Sequence, residues 1–323
     1  MLSAAPFHAE LADGPEGARA FWATTPDGLR LRVAHYPGPE DAIGTVLLFP
    51  GRTEYVEKYG RVARDFADRG YHVVSVDWRG QGLADRMLED RRTGHVHLFR
   101  DYQQDVMAVM AAVNELGLPK PLFLHGHSMG GCIALRAAIE GLPVAACAFT
   151  APMWGIRIAA PVRPAAWALG WSSARMGWDH LYAPSTGPDS YTATGTFEGN
   201  LLTTSREGWD YMRRQVHEAP ELQLGGPSLR WVHQALGECL SLARLPAPAM
   251  PCITFLGSNE RIVDAARIET RMAGWPGGRL EMIQGAEHEV LMEDAVTRGR
   301  IVSQMAEVFA RGAESAGAHA ISA

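Results

Sequence analysis

The stretch from Leu122 to Gly131, reading LFLHGHSMGG, constrains the fold more than any other part of the chain. Leu122 to Leu124 is a short apolar run that reads as a buried strand, and Gly131 to Glu140 reads as a helix. Between them, Gly126-His127-Ser128-Met129-Gly130 follows the pattern G-x-S-x-G. The pattern alone is a weak signal in a chain rich in glycine and serine. Its context is far more restrictive: strand, G-x-S-x-G and helix in that order describe a sharp turn that lifts a serine off the edge of a sheet. So tight a turn imposes a strained backbone on Ser128, and a side chain at Gly126 or Gly130 would strike the neighbouring strand or helix. The Ser128 hydroxyl is expected at the positive end of the following helix, where the backbone N–H of Met129 faces a developing oxyanion.

The flanking sequence supplies a sheet to hold this turn. Phe21 to Thr25, the turn Pro26-Asp27-Gly28 and Leu29 to Tyr36 read as an opening hairpin. Thr45 to Phe49, Tyr71 to Asp77, Val144 to Thr150, Cys252 to Leu256 and Arg279 to Ile283 read as further strands. Helical spacing recurs between strands, as in Val56, Tyr59, Val62, Ala63 and Phe66, and in Tyr102, Val106, Val109, Met110 and Val113. The alternation predicts an α/β fold, a mostly parallel sheet with helices on both faces. It breaks at Pro152 and resumes after the Arg244 to Pro248 linker. The chain therefore divides into a core of residues 1–151 and 249–323, with 1–20 as a loose arm, and an inserted helical cap of residues 152–248. Six of the nine tryptophans fall in the cap: Trp154, Trp167, Trp171, Trp178, Trp209 and Trp231. Two uses stay open for them, packing of the cap on the core and, with the apolar stretch Ile156 to Leu169, contact with a lipid surface.

A serine hydroxyl needs a base, and the base needs a third group to hold it. In this fold class they follow in the order nucleophile, acid, histidine, each on a loop after a strand. Of the twelve histidines, His288 in Gly285-Ala286-Glu287-His288-Glu289 occupies such a loop near the C-terminus. His127 reads as packing; His95 and His97 precede a helix and are candidates only for lining a pocket. For the acid, Glu260 sits on the turn after Leu256, and Asp264 is the alternative, with a competing place as N-cap of the helix from Ala265. The loop Pro50-Gly51-Arg52-Thr53-Glu54 after the strand ending at Phe49 offers the backbone N–H of Arg52 as second oxyanion donor. The Arg52 side chain reads as a surface salt bridge, with a phosphate or carboxylate as the other use. Trp78-Arg79-Gly80-Gln81-Gly82 reads as a structural turn.

A net charge of −6 offers no basic field for nucleic acid. Cys132, Cys147, Cys239 and Cys252 lack metal-binding spacing, so neither metal nor cofactor is expected; as free thiols they suit a reducing, cytoplasmic setting. The first residues have no basic, apolar leader pattern, and no apolar run is long enough to span a bilayer. The serine turn, PGRTEYVEKY, GHV-x-x-F-x-DY and GAEHE together resemble the bacterial lysophospholipase and monoacylglycerol lipase branch of the α/β-hydrolases, related to the serine aminopeptidases. Asn200 to Thr203, Pro220 to Leu222, Leu224 to Pro227 and Trp231 add to the likeness with the lysophospholipases. The resemblance implies an α/β-hydrolase core with a cap, a Ser128–Glu260–His288 triad, no cofactor, and small-molecule fatty-acid esters or lipids as substrates. Glu260 falls where that family usually has Asp. A proline-iminopeptidase type of aminopeptidase is the first alternative and would need a cap carboxylate such as Glu198, Glu207 or Glu218 to hold a substrate amine. A non-catalytic ligand-binding protein on the same core is the second. Ser128 argues against haloalkane and epoxide hydrolases, which attack with Asp.

Overall fold

A computed structural model describes residues 1–159 and 161–321, with side chains as far as residue 315. Among the described residues nine strands form one sheet: β1 (Ser3–Ala5), β2 (Arg19–Thr24), β3 (Arg30–Tyr36), β4 (Gly44–Phe49), β5 (Tyr71–Asp77), β6 (Leu122–His127), β7 (Cys147–Thr150), β8 (Cys252–Gly257) and β9 (Gly278–Ile283). Their order is β1-β2-β3-β5-β4-β6-β7-β8-β9. The pairs from β1 to β3 and β3 with β5 are antiparallel, and every pair from β5 to β9 is parallel.

The continuous apolar runs of the sequence are explained by cover on both faces. In β4, Leu47 and Phe49 join one core and Val46 and Leu48 the other. The same alternation sends Leu122 and Leu124 of β6 to the first core and Phe123 to the second. The helices are α1 (Ala9–Ala12), α2 (Gly60–Ala67), α3 (Tyr102–Glu115), α4 (Ser128–Ile139), α5 (Arg163–Met176), α6 (Tyr191–Thr194), α7 (Arg206–Glu218), α8 (Leu229–Ala243), α9 (Ala265–Ala273) and α10 (Ala295–Ile321). Val109 of α3, Ile133 of α4 and Ile268 of α9 pack in the first core; Val62 and Phe66 of α2 and Met305 and Phe309 of α10 pack in the second. This is the α/β-hydrolase fold. Helices α5 to α8 lie in the chain between β7 and β8.

Two expectations need correction. Residues 1 to 20 are not a loose arm. β1 adds an edge strand to β2, with Ala4 opposite Phe21, and Leu11 and Ala12 of α1 are buried. Gln215 donates to the Leu11 carbonyl at 2.7 Å and Tyr211 to that of Ala12 at 2.7 Å, so α7 holds the segment down. The Ala- and Gly-rich composition hid a strand stabilised by backbone pairing alone. At the other end, the sequence reads as a closing helix from Met292 to Arg311 followed by a small-residue tail, whereas α10 runs on as far as Ile321. Among the described residues no helix is long and apolar enough to cross a membrane.

Candidate active site

β6 runs straight into α4 at Ser128, three residues before the helix start read from the sequence. Ser128 has φ +48°, a left-handed conformation that is costly for a residue with a Cβ. The two glycines are steric requirements. A Cβ on Gly126 would lie 2.8 Å from the Gly131 Cα, and one on Gly130 would lie 2.0 Å from the carbonyl oxygen of Phe49 at the end of β4. The turn is thus wedged between its own helix and the neighbouring strand.

The loops after β8 and β9 bring their side chains to this serine. His288 Nε2 lies 2.9 Å from Ser128 Oγ, and His288 Nδ1 lies 2.7 Å from Glu260 Oε2. The other Glu260 oxygen accepts backbone N–H bonds from Ile262 at 2.6 Å and Val263 at 3.0 Å. Burial works to raise the Glu260 pKa, but His288 and those two N–H groups outweigh it and hold the carboxyl below its ordinary range. Asp264 is not part of this chain of bonds. It stands at the N-cap position of α9 without a side-chain capping bond, and its carboxylate meets Arg163 at 3.2 Å. An arrangement of hydroxyl, imidazole and carboxylate in series can move a proton from Ser128 to His288 and keep the imidazole in the tautomer that accepts it.

The first loop closes the other side. Thr53 has φ +66°, and the loop is braced from the Trp78 to Gly82 turn: Trp78 Nε1 donates to the Pro50 carbonyl at 2.9 Å and Gln81 Nε2 to that of Gly51 at 2.8 Å. Neither the Arg52 nor the Met129 backbone N–H has a hydrogen-bond partner among the described residues. Met129 lies in the first turn of α4, whose N–H groups have no partner within the helix. Among the described residues the Arg52 side chain forms no surface salt bridge. It turns inward towards residues 225–231, where Nη1 donates to the Gly225 carbonyl at 2.9 Å and the guanidinium lies 5.5 Å from the Trp231 ring centre.

Beside the serine lies a buried charge cluster that the sequence reading missed. Lys58 Nζ sits 2.5 Å from Glu54 and 2.7 Å from Glu289. His127 Nε2 lies 3.3 Å from Glu289 and 3.5 Å from Glu54, and its Nδ1 is 3.0 Å from the Thr150 carbonyl oxygen. Burial opposes charge on His127, yet Glu289 and Glu54 outweigh it and raise its pKa. His127 is therefore an ion-pair partner rather than mere packing, and its ring stands 5.0 Å from that of His288. Glu54, His127 and Glu289 have the donor set of a metal site, but the Lys58 ammonium already bridges the two carboxylates. The Glu54–Lys58 spacing of four residues was the legible signal for this cluster. Glu54 also accepts from the Gly51 N–H, which links the cluster to the first loop. His95 does not line the pocket; it lies 2.9 Å from Ser228 Oγ and anchors the start of α8.

Ser128 and His288 open on a cavity of about 500 Å³. Leu201, Leu202, Met212, Val216, Leu224 and Ile262 supply its apolar wall. Glu198, Glu207 and Glu218 do not line it; Asp189 does, from an exposed position.

Known proteins share both sequence and architecture with this chain. A family model described as serine aminopeptidase, S33 matches residues 40–295. Lysophospholipase L2 of Escherichia coli K12 is 34% identical over 294 residues, covering 88% of this chain and 83% of that protein. Probable lysophospholipase L2 of Haemophilus influenzae is 29% identical over 280 residues, covering 86% and 87%. A soluble variant of the Saccharomyces cerevisiae monoglyceride lipase, solved with a substrate analogue, superposes with a TM-score of 0.69 at 20% identity, over 88% of this chain and 93% of that one. With four-fifths of the chain spanned by the family match, and a relative at this identity along most of its length, the chain belongs to the serine aminopeptidase S33 family of α/β-hydrolases.

Proposed function

We propose that this chain is a serine carboxylic-ester hydrolase that cleaves fatty-acid esters of the lysophospholipid or monoacylglycerol type through an acyl-enzyme. The observation that carries the reading is the run of short contacts from Glu260 through His288 to Ser128, at 2.7 and 2.9 Å, on the floor of a cavity with an apolar wall. In the first half-reaction His288 takes the Ser128 proton as Oγ attacks the ester carbonyl. The Arg52 and Met129 N–H groups hold the oxyanion, and removing one such donor costs about 3 kcal/mol in comparable sites. Collapse breaks the ester bond, and His288 passes its proton to the departing alcohol. Water then attacks the acyl-enzyme by the same route and frees the fatty acid and Ser128.

The segment 152–248 acts as the cap in this reading. Its Leu201, Leu202, Met212, Val216 and Leu224 cover the acyl chain, and each buried CH₂ contributes about 0.8 kcal/mol. Transient contact of the exposed α5 surface with a membrane would deliver the lipid. The aminopeptidase alternative is not favoured: Glu207 is occupied by Arg61 at 2.9 Å, neither Glu198 nor Glu218 faces the cavity, Asp189 reaches only its exposed rim, and the relative at 34% identity is a lysophospholipase.

The test is hydrolysis of p-nitrophenyl esters from acetyl to palmitoyl by wild type and Ser128→Ala. Turnover that depends on Ser128 and peaks at one chain length is expected. Turnover of aminopeptide substrates alone would instead place the chain with the peptidases.

A further inference from the structure

The cavity holds one cation whose charge is not matched. Elsewhere the fully buried guanidiniums meet carboxylates: Arg32 meets Glu57 and Asp77, Arg79 meets Asp27 and Asp105, and Arg136 meets Glu238, whereas Arg52 is half-buried; the half-buried Arg86 and Arg271 also lack a carboxylate among the described residues, but neither lines this cavity. Within the cavity, Lys58 and His127 are taken up by Glu54 and Glu289. Arg52 has no carboxylate within ion-pair distance among the described residues, although Asp189 lies at the rim of the same cavity. A guanidinium has five N–H donors, of which the Gly225 carbonyl takes one. Burial without a counter-charge pushes the Arg52 pKa down to about 10, against a small opposing effect of Tyr102.

The position of the guanidinium is built rather than incidental. The loop at Arg92 to Gly94 and the cap segment Gly225 to Ser228 exchange backbone bonds above it: Gly225 N–H to Arg92 at 2.8 Å, Gly94 N–H to Gly226 at 3.0 Å, and Ser228 N–H to Gly94 at 2.8 Å. A Cβ on Gly94 would come within 2.9 Å of Arg52 Nη1, so glycine there leaves the guanidinium its seat. Arg52 is also the residue whose backbone N–H is assigned to the oxyanion. The same number of covalent bonds separates its backbone nitrogen from its guanidinium carbon as separates the ester carbonyl carbon from phosphorus in a 1-acyl-glycerol 3-phosphate. The Arg52 side chain is therefore of a length to reach from the reacting carbonyl to a phosphate at the far end of the glycerol.

We propose that the Arg52 guanidinium binds the phosphate carried on the glycerol of the substrate, so that the cavity prefers a lysophospholipid to the uncharged monoacylglycerol. This rests on the ester-hydrolase reading and narrows it. A planar guanidinium pairs with two phosphate oxygens at once, and loss of such a pair costs about 10- to 100-fold.

The test compares 1-oleoyl lysophosphatidylethanolamine with 1-oleoylglycerol in the same mixed micelles. The readout is the ratio of their kcat/KM values in wild type, Arg52→Gln, Arg52→Lys and Gly94→Ala. Arg52→Gln keeps the backbone N–H and is expected to lower the ratio by about 10- to 100-fold, with Arg52→Lys recovering part of it. Gly94→Ala leaves residue 52 untouched and crowds its guanidinium, so it should lower the ratio by a smaller factor. A ratio unchanged within about twofold in Arg52→Gln overturns the proposal and leaves the guanidinium as a tether for Gly225. A second measurement needs no hydrolysis: calorimetric binding of glycerol 3-phosphate, inorganic phosphate and an ether analogue of the lysophospholipid to Ser128→Ala, with and without Arg52→Gln. Weaker binding of glycerol 3-phosphate and the ether lipid in the double variant is expected. If no ester is hydrolysed and that difference remains, the hydrolase reading fails and the anion site stands. If esters are hydrolysed and neither ratio nor binding responds to Arg52, the anion site fails alone. Binding of inorganic phosphate with an unchanged substrate ratio assigns the site to free phosphate and overturns its role in selecting the substrate.

Discussion

Glu260 and His288 are joined through one carboxylate oxygen at 2.7 Å, while the second oxygen of Glu260 is fixed by two backbone N–H groups. The carboxylate therefore has no freedom to rotate away from the imidazole. The longer Glu side chain is accommodated because the Ile262–Val263 backbone turns back to meet it. Asp264 gives its charge to Arg163 instead.

Glu260→Gln should keep this geometry and lose the charge that selects the tautomer, lowering kcat on p-nitrophenyl butyrate by about 10³- to 10⁴-fold. Asp264→Asn, which removes an exposed ion pair, should stay within about threefold of wild type. A larger loss in Asp264→Asn than in Glu260→Gln would move the acid role to Asp264.

Lys58→Met should be severe for a different reason. It leaves Glu54 and Glu289 buried with His127 as their remaining counter-charge. Breaking a buried ion pair from one side costs about 3–5 kcal/mol, read as a lower urea midpoint. Activity should fall as well, because Glu54 holds the Gly51 N–H of the first loop and Glu289 follows His288 directly. Adding Glu54→Gln to Lys58→Met should recover part of the stability. If the double variant is less stable still, the cluster is held by packing rather than charge.

What the sequence made legible, and what it hid, follows from the range of the interactions. The parallel strands were visible because cover on both faces forces apolar residues at every position. The serine turn was visible because only glycine fits at Gly126 and Gly130. β1 was hidden because Ser3 to Ala5 carry no side-chain signal and pair through backbone groups. Arg52 was misread as a surface residue because its neighbours arrive from far along the chain; it and Gly225 are 173 residues apart. Lys58 shows half of its environment in the local spacing to Glu54, while Glu289 joins only when β9 places its loop beside the serine turn.

Stability should peak near neutral pH. Burial, helped by nearby His72 and Arg19, pushes His35 down to about 4. Burial with His97 and Arg230 puts His95 at about 4, and burial with His127 puts His125 at about 3. In the unfolded chain each titrates at about 6.5, so there the unfolded state binds the extra protons. Their contribution is complete above about pH 6.5 and is lost as pH falls towards 4 and then 3, with a slope of up to about 1.4 kcal/mol per pH unit for each histidine. His127 has the opposite sign: its raised pKa stabilises the fold below about pH 6.5, and that contribution is lost as pH rises through the folded value. Urea midpoints across this range should show a shallower acid limb in His125→Gln and a flatter basic limb in His127→Gln. Identical limbs in all three proteins would rule out these histidines as the source.

The last prediction concerns the surface of α5 and the turn that follows it. Trp171 and Trp178 are each 55% exposed, flanked by exposed Leu169 and Met176. Trp154, Trp209 and Trp231, by contrast, are buried and bind the segment to the core. The helix carries Arg175 and the Asp264-paired Arg163 and no acidic residue, in a chain whose net charge is −6, and the Arg175 guanidinium lies 3.6 Å from the Trp171 ring centre. Exposed tryptophans backed by arginines suit the interface of an anionic bilayer, where the rings sit among head groups and the guanidinium meets phosphates. Trp171→Ser with Trp178→Ser should weaken binding to phosphatidylglycerol-containing vesicles by about tenfold or more and slow turnover of vesicle-borne long-chain esters. Turnover of monomeric p-nitrophenyl butyrate should be unaffected, because neither residue lines the Ser128 cavity. Equal vesicle binding by wild type and the double variant would assign these aromatics to another partner; a matching loss on the soluble ester would mean that they support the cap rather than a membrane.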